Sequence, residues 1–147
     1  MPYDHTQYGY LHWILLLAAG ITFVAAPLAT EPSTRIILAS ATGAVVLAAA
    51  MFAWLRVYDE DERLVLRYGP LPAFRKRFRF ADITAVQPGR TSVLDGWGIH
   101  WIPWRGWTYN LWGFQCVKLS LGGKTVRIGT DDPEGLAAFL EAKLAGR

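Results

Sequence analysis

Two stretches decide how this chain is read: HTQYGYLHWILLLAAGITFVAAPLAT, residues His5–Thr30, and IILASATGAVVLAAAMFAWL, residues Ile36–Leu55. Neither contains a Lys, Arg, Asp or Glu. A hydrocarbon core of roughly 30 Å takes about 20 apolar residues of helix to cross, and both stretches reach that length. Between them, Glu31-Pro32-Ser33-Thr34-Arg35 leaves room only for a tight turn. The sequence therefore predicts a transmembrane helical hairpin over residues 1–56, with helices at about 9–29 and 36–56, and a globular domain over 57–147. A cleaved leader fits less well: Met1 to Gly9 carries no Lys or Arg, the apolar run is long, and a second apolar run follows at once.

Orientation follows from the cations. Of the 15 Lys and Arg, only Arg35 precedes residue 56. Basic segments stay on the cytoplasmic side, so both termini and the domain are expected inside, with residues 30–35 outside. From Arg56 to Arg147 the chain carries 14 cations against 10 acids, an excess that suits an anionic membrane face better than nucleic acid. The one cysteine, Cys116, excludes an intramolecular disulfide.

Within the hairpin, Tyr8, Tyr10, His12 and Trp13 read as an aromatic belt at the inner interface. The second helix is rich in small residues, and Ala39, Gly43 and Ala44 would let another helix approach closely. That face serves either the first helix or a partner's. His12, alone among aromatics, reads as a headgroup-facing side chain rather than a metal ligand.

Past the hairpin the period changes. Asp59-Glu60-Asp61-Glu62 reads as a solvated turn, and Leu64, Leu66 and Tyr68 alternate along a strand closed by Gly69-Pro70. Phe74, Phe78 and Phe80 share one parity and Arg75, Arg77 and Arg79 the other, so a strand there buries phenylalanines and presents arginines on its reverse. Asp82–Val86, Trp97–Ile102, Trp107–Trp112 and Cys116–Leu121 read as further strands, and Gly122-Gly123 joins the last to an antiparallel Lys124–Gly129. Asp132 caps and Pro133 opens a final helix, about 133–145, with Leu136, Phe139, Leu140 and Leu144 on one stripe.

Five of the seven tryptophans, Trp97, Trp101, Trp104, Trp107 and Trp112, fall within 16 residues. Trp97 and Trp101 share a strand parity that would point both inward. Trp104, between Pro103 and Arg105, belongs to a turn, where an exposed ring beside arginine suits a membrane or protein interface. Core packing and a surface role both remain open for the cluster.

No catalytic motif is present: Ser40, Ser92 and Ser120 lack a nucleophile context, and His5, His12 and His100 have no metal-ligand spacing. No enzymatic activity, cofactor, metal, nucleic acid or small-molecule substrate is expected.

The strand order, the Ile83-Thr84-Ala85-Val86 strand, the Gly96-Trp97-Gly98-Ile99 segment and the closing Val126–Glu134 run into the helix resemble bacterial membrane proteins in which a two-helix hairpin precedes a PH-like domain. The resemblance covers nearly the whole chain. It implies a membrane α-hairpin plus an α+β unit, namely a PH-like antiparallel β-barrel or sandwich capped by a C-terminal helix, in the cell inner membrane. It is nearly silent on activity. Two functions are expected from the residues. One is an accessory subunit or assembly factor that contacts a membrane-protein partner through Trp104, Arg105 and Trp107. The other is an anionic-lipid module that uses Arg75, Lys76, Arg77 and Arg79.

Overall fold

The computed structural model describes residues 2–71 and 74–146. It opens with an element the sequence reading missed: strand β1, Asp4–Tyr8. Helix α1, Leu11–Leu28, and helix α2, Pro32–Met51, follow, and the chain returns in strand β2, Trp54–Glu60. Both helices are long and apolar enough to cross a membrane by length and composition. Their 18 and 20 residues span about 27 and 30 Å at 1.5 Å per residue.

The helix limits differ from the expected 9–29 and 36–56. Proline at the first helical position costs no hydrogen bond, so α2 starts at Pro32, inside what read as the turn. It ends at Met51, because Trp54, Arg56, Tyr58 and Glu60 alternate with buried Leu55 and Val57 as a strand does. The apolar run had concealed that alternation. β1 pairs antiparallel with β2, from Asp4 opposite Tyr58 to Tyr8 opposite Trp54. The helical hairpin is thus an excursion between two neighbouring strands of one sheet. Thr22 and Thr42 join the helices by a hydroxyl–hydroxyl bond of 2.7 Å, and Ala19 in α1 and Ala49 in α2 are buried.

Strands β3 (Arg63–Tyr68) and β4 (Arg75–Arg79) complete the first sheet in the order β1-β2-β3-β4. The acidic run is not wholly a solvated turn: Asp59 and Glu60 belong to β2, only Asp61 and Glu62 turn, and Asp61 takes φ 52°. Asp59 is buried against Lys143, with Nζ to Oδ2 at 2.9 Å. As expected, β4 buries Phe78 and turns Arg75, Arg77 and Arg79 outward, and Phe80 is buried in the turn that follows. Phe74, however, is exposed.

The second sheet holds β5 (Ile83–Arg90), β6 (Gly98–Ile102), β7 (Gly106–Asn110), β8 (Gln115–Leu121) and β9 (Lys124–Gly129), in the order β5-β8-β9-β7-β6. β5 runs on through Pro88, which an edge strand tolerates because its free side needs no donor. Not every pairing is antiparallel: β7 and β9 run parallel, where Gly106 admits the Thr125 carbonyl so closely that a Cβ would strike it. The two sheets do not close into a barrel. They face each other as a sandwich over Leu64, Leu66, Val117, Leu119 and Ile128.

Helix α3, Pro133–Ala145, carries the expected apolar stripe and cap: Leu136 and Leu140 are buried, and Gly135 N–H donates to Asp132 Oδ1 at 3.0 Å. It covers one opening of the sandwich. Phe139 stacks on Tyr3 at 5.3 Å, and Lys143 reaches Asp59.

Where the helices meet the sheets, Gly69 (φ 54°) lies under the end of α2 and donates its N–H to Trp54 O at 2.8 Å. A Cβ there would meet the carbonyl oxygens of Ala50 and Met51, the latter at 2.6 Å. Gly69→Ala should therefore destabilise the chain by about 2 kcal/mol, from the left-handed backbone and the clash together. Chemical denaturation in detergent measures it, and an unchanged midpoint would show that α2 is not seated on the sheet.

Candidate functional site

The residues singled out in the sequence fall into three places. Arg75, Arg77 and Arg79 lie on the outer face of the first sheet. Arg75 Nη2 donates to Glu60 Oε1 at 2.5 Å and to the Tyr58 hydroxyl at 2.9 Å, and Arg77 Nε donates to Glu60 Oε2 at 3.2 Å. One carboxylate thus serves two arginines. Lys76 points the other way, with Nζ 5.9 Å from the Phe78 ring centre.

Trp104 and Trp107 lie on the hairpin between β6 and β7. Trp104 occupies the turn with φ 63° and is 101 % exposed, so nothing in the described residues covers its ring. Trp107 is opposite Trp101 across the two strands, and they are 45 % and 56 % exposed. The parity argument that pointed Trp97 and Trp101 inward fails. β6 is an edge strand whose inner face is covered only in part: Ile99 packs against the core, Trp101 stays in solvent, and Trp97 stacks on Trp112 at 4.3 Å beside the base of α1.

Arg105 is not free to anchor a partner. Its Nε and Nη2 form a two-pronged pair with Asp95 Oδ1 and Oδ2 at 2.8 and 2.6 Å. Asp95, which the sequence reading passed over, is fully buried and also accepts from Ser92 N at 2.6 Å and Ser92 Oγ at 3.0 Å. The Ser92-Val93-Leu94-Asp95 spacing is a capping-box signal that was available in the sequence. Burial alone would raise the Asp95 carboxyl, but the bonds from Ser92 and then Arg105 outweigh it and hold the group below its ordinary value. The clamp fixes the tryptophan-bearing turn to the segment that crosses from β5 to β6.

Between β4 and β7 the sandwich is open. The cleft, of about 480 Å³, runs along the free edge of β4, so Lys76 and the outward Arg77 and Arg79 all border it, with Arg63, Lys124 and a single acid, Asp82. Its apolar wall is Trp107 stacked on Tyr109 at 6.1 Å. A neighbouring depression of about 350 Å³ shares Trp107 and Lys124 and extends to Trp101 and Trp104. Cations and exposed indoles thus form one continuous surface. Sequence reading singled out Lys76, Arg77, Arg79, Trp104 and Trp107, missed Arg63 and Lys124, and could not join them, because β4 and β7 meet only through the gap between two sheets.

Ala39, Gly43 and Ala44 are exposed on α2, and no heavy atom lies within 4 Å of a Cβ built on Gly43. The helices touch through Thr22 and Thr42 instead. His12 packs against Trp13 at 4.8 Å between ring centres. Among the described residues no three His, Cys, Asp or Glu side chains converge as metal ligands. Cys116 is buried, and burial pushes its thiol up, away from the reactive thiolate. The surface thus offers cations and aromatic faces, groups suited to binding.

Comparison of the chain with protein-family models, with characterised proteins and with solved structures found no match.

Because the Asp95 carboxyl is held low in the folded chain, its contribution to stability is full at neutral pH. That contribution disappears as pH falls through the depressed value, below the ordinary 3.8. Asp95→Asn should cost about 1–3 kcal/mol at pH 7, with Arg105 partly solvated, and should flatten the acid limb of stability. Denaturation midpoints of both proteins between pH 7 and 2.5 test this; parallel acid limbs would remove Asp95 from the account.

Proposed function

We propose that this chain is a non-enzymatic, membrane-anchored docking module of PH-like architecture, acting as an accessory subunit or assembly factor of a larger membrane-protein complex. The single observation that carries the reading is the Trp101–Trp104–Trp107 surface beside the basic cleft. Exposed indole rings of this number are costly to leave in water, and tryptophan with flanking cations is the composition of a protein-interface anchor. Two sheets with a helix over one opening support the PH-like assignment.

The patch faces away from the helices. β6 begins at Gly98, beside Phe52 at the base of α2. At about 3.3 Å per residue the strand carries the turn roughly 13 Å further along the sheet. That height suits contact with the protruding part of a neighbouring membrane protein. The exposed Ala39, Gly43 and Ala44 offer that neighbour close helix contact within the bilayer.

The β1–β2 pairing requires residues 4–8 and 54–60 to share one side of the membrane. The weight of Lys and Arg from residue 56 onward supports a cytoplasmic location for that side, at the inner membrane. The alternative, anionic lipid held by residues 75–79, has less support, since Arg75 and Arg77 are both engaged by Glu60.

Two experiments test this. A cysteine label at Ser33 in intact cells should react while one at Ala145 is protected; the reverse pattern would overturn the orientation. Trp104→Ala with Trp107→Ala should lower partner affinity by about 2 kcal/mol or more, read as loss of the cross-linked complex in native membranes, with unchanged thermal stability. A wild-type chain that remains a monomer under cross-linking, with no larger species on native gels, would sink the subunit reading.

A further inference from the structure

We infer that the outer face of the first sheet holds the phosphate of an anionic membrane phospholipid on Arg67, at the base of the helical hairpin. The register sets three arginines side by side across the sheet: Arg56 is opposite Arg67, and Arg67 is opposite Arg75. Like charges in directly opposed positions repel. The outer two have carboxylates of their own. Asp4 takes Arg56 through bonds of 2.7 and 2.5 Å, and Glu60 takes Arg75 at 2.5 Å. The hydrogen bond from Arg56 holds the Asp4 carboxyl below its ordinary value, so that pair persists at neutral pH.

Among the described residues the middle arginine has no counter-ion. Its guanidinium carbon lies 5.6 Å from the Trp54 ring centre, and its Nε is buried without a hydrogen-bond partner among the described residues. A buried charged donor left unpaired is costly, so the arrangement calls for an anion. Space for one is present: a depression of about 430 Å³ beside Arg67 is bounded by Asp4, Thr6, Tyr8, Trp54 and Arg56, and the Asp4 carboxylate in it is already paired with Arg56.

The height of the site identifies the source of the anion. The cross-strand row of Tyr8 and Trp54 stands next to the helix ends, and the arginine row lies two residues further on. Two residues of strand are about 6.6 Å. A bilayer of roughly 40–45 Å around a 30 Å core has headgroup layers of about 5–7 Å on each side. Aromatic rings at the hydrocarbon edge then set the arginines at the depth of the phosphates. Arginine presents a planar fork of donors that matches phosphate oxygens in two places, and Trp54 behind it fixes the plane of that fork.

The inference rests on the reading that α1 and α2 span the membrane, and is independent of any protein partner. The test uses the full chain in mild detergent, stripped of lipid, with bound lipid counted by native mass spectrometry. Phosphatidylglycerol should bind and diacylglycerol, which lacks the phosphate, should not. Arg67→Gln should weaken phosphatidylglycerol binding at least about five-fold. Arg67→Lys, which keeps the charge and loses the fork, should fall between the two and serves as the folded control. Binding unaffected by either substitution overturns the inference. Inorganic phosphate that displaces the lipid at equal concentration overturns the assignment to lipid. Release of the native chain from membranes by alkaline carbonate would remove the spanning reading and this site with it. Retention in the membrane with unaltered binding by both variants would remove this site alone.

Discussion

The antiparallel pairing of Asp4–Tyr8 with Trp54–Tyr58 is the contact on which the other features depend. It returns the far end of the helical hairpin to within one strand spacing of its start, about 4.8 Å. The helices therefore leave the sheet from neighbouring strands and cannot pivot independently of it. Gly69 beneath the end of α2, Gly9 against Leu111, and Gln7 donating to the Trp112 carbonyl at 3.1 Å add further ties at the same junction. With these in place, the height of every strand residue above the helix ends is fixed. The aromatic row, the arginine row and the distant tryptophans consequently occupy different, definite levels.

The α-helices and most strands were legible because their signals are local. Charge-free runs near 20 residues, the alternation of Leu64, Leu66 and Tyr68, the Gly122-Gly123 turn and the Asp132-Pro133 cap each declare themselves within a few positions. β1 and β2 were not legible. Asp4–Tyr8 is short and polar, and its justification as a strand lies 50 residues away in β2. Leu55 was absorbed into the apolar run, and the acids after Tyr58 looked like a turn, although Asp59 is buried by pairing with Lys143 from the last helix. Parity predicted the inward Phe78 but misplaced Trp101, because alternation divides the faces of a strand without saying whether anything covers them.

The functional surface was legible in part for the same reason. Lys76, Arg79, Trp104 and Trp107 stand out by type, yet their sharing of one surface depends on the gap left between two sheets that do not close. Arg105 stands out equally by type and is spent on Asp95. Arg67 drew no notice, since a single arginine in an alternating strand is the ordinary outward residue. Its significance comes from its neighbours across the sheet, which a linear reading does not supply.

The contacts of the final helix bear on the order of events as the chain is made. Tyr3 donates its hydroxyl to Asp132 at 3.2 Å, His5 Nε2 lies 2.6 Å from Asp131, and Phe139 stacks on Tyr3. Residues 3–5 leave the ribosome before their partners, which emerge more than 120 residues later. At about 5–20 residues per second the opening strand waits some 6–25 s for them. During that interval the helical hairpin, which brings β1 and β2 together early, gives the opening strand its partner. The helical hairpin thus acts as a clasp that holds the first two strands of an unfinished sheet together until the helix at Pro133–Ala145 arrives.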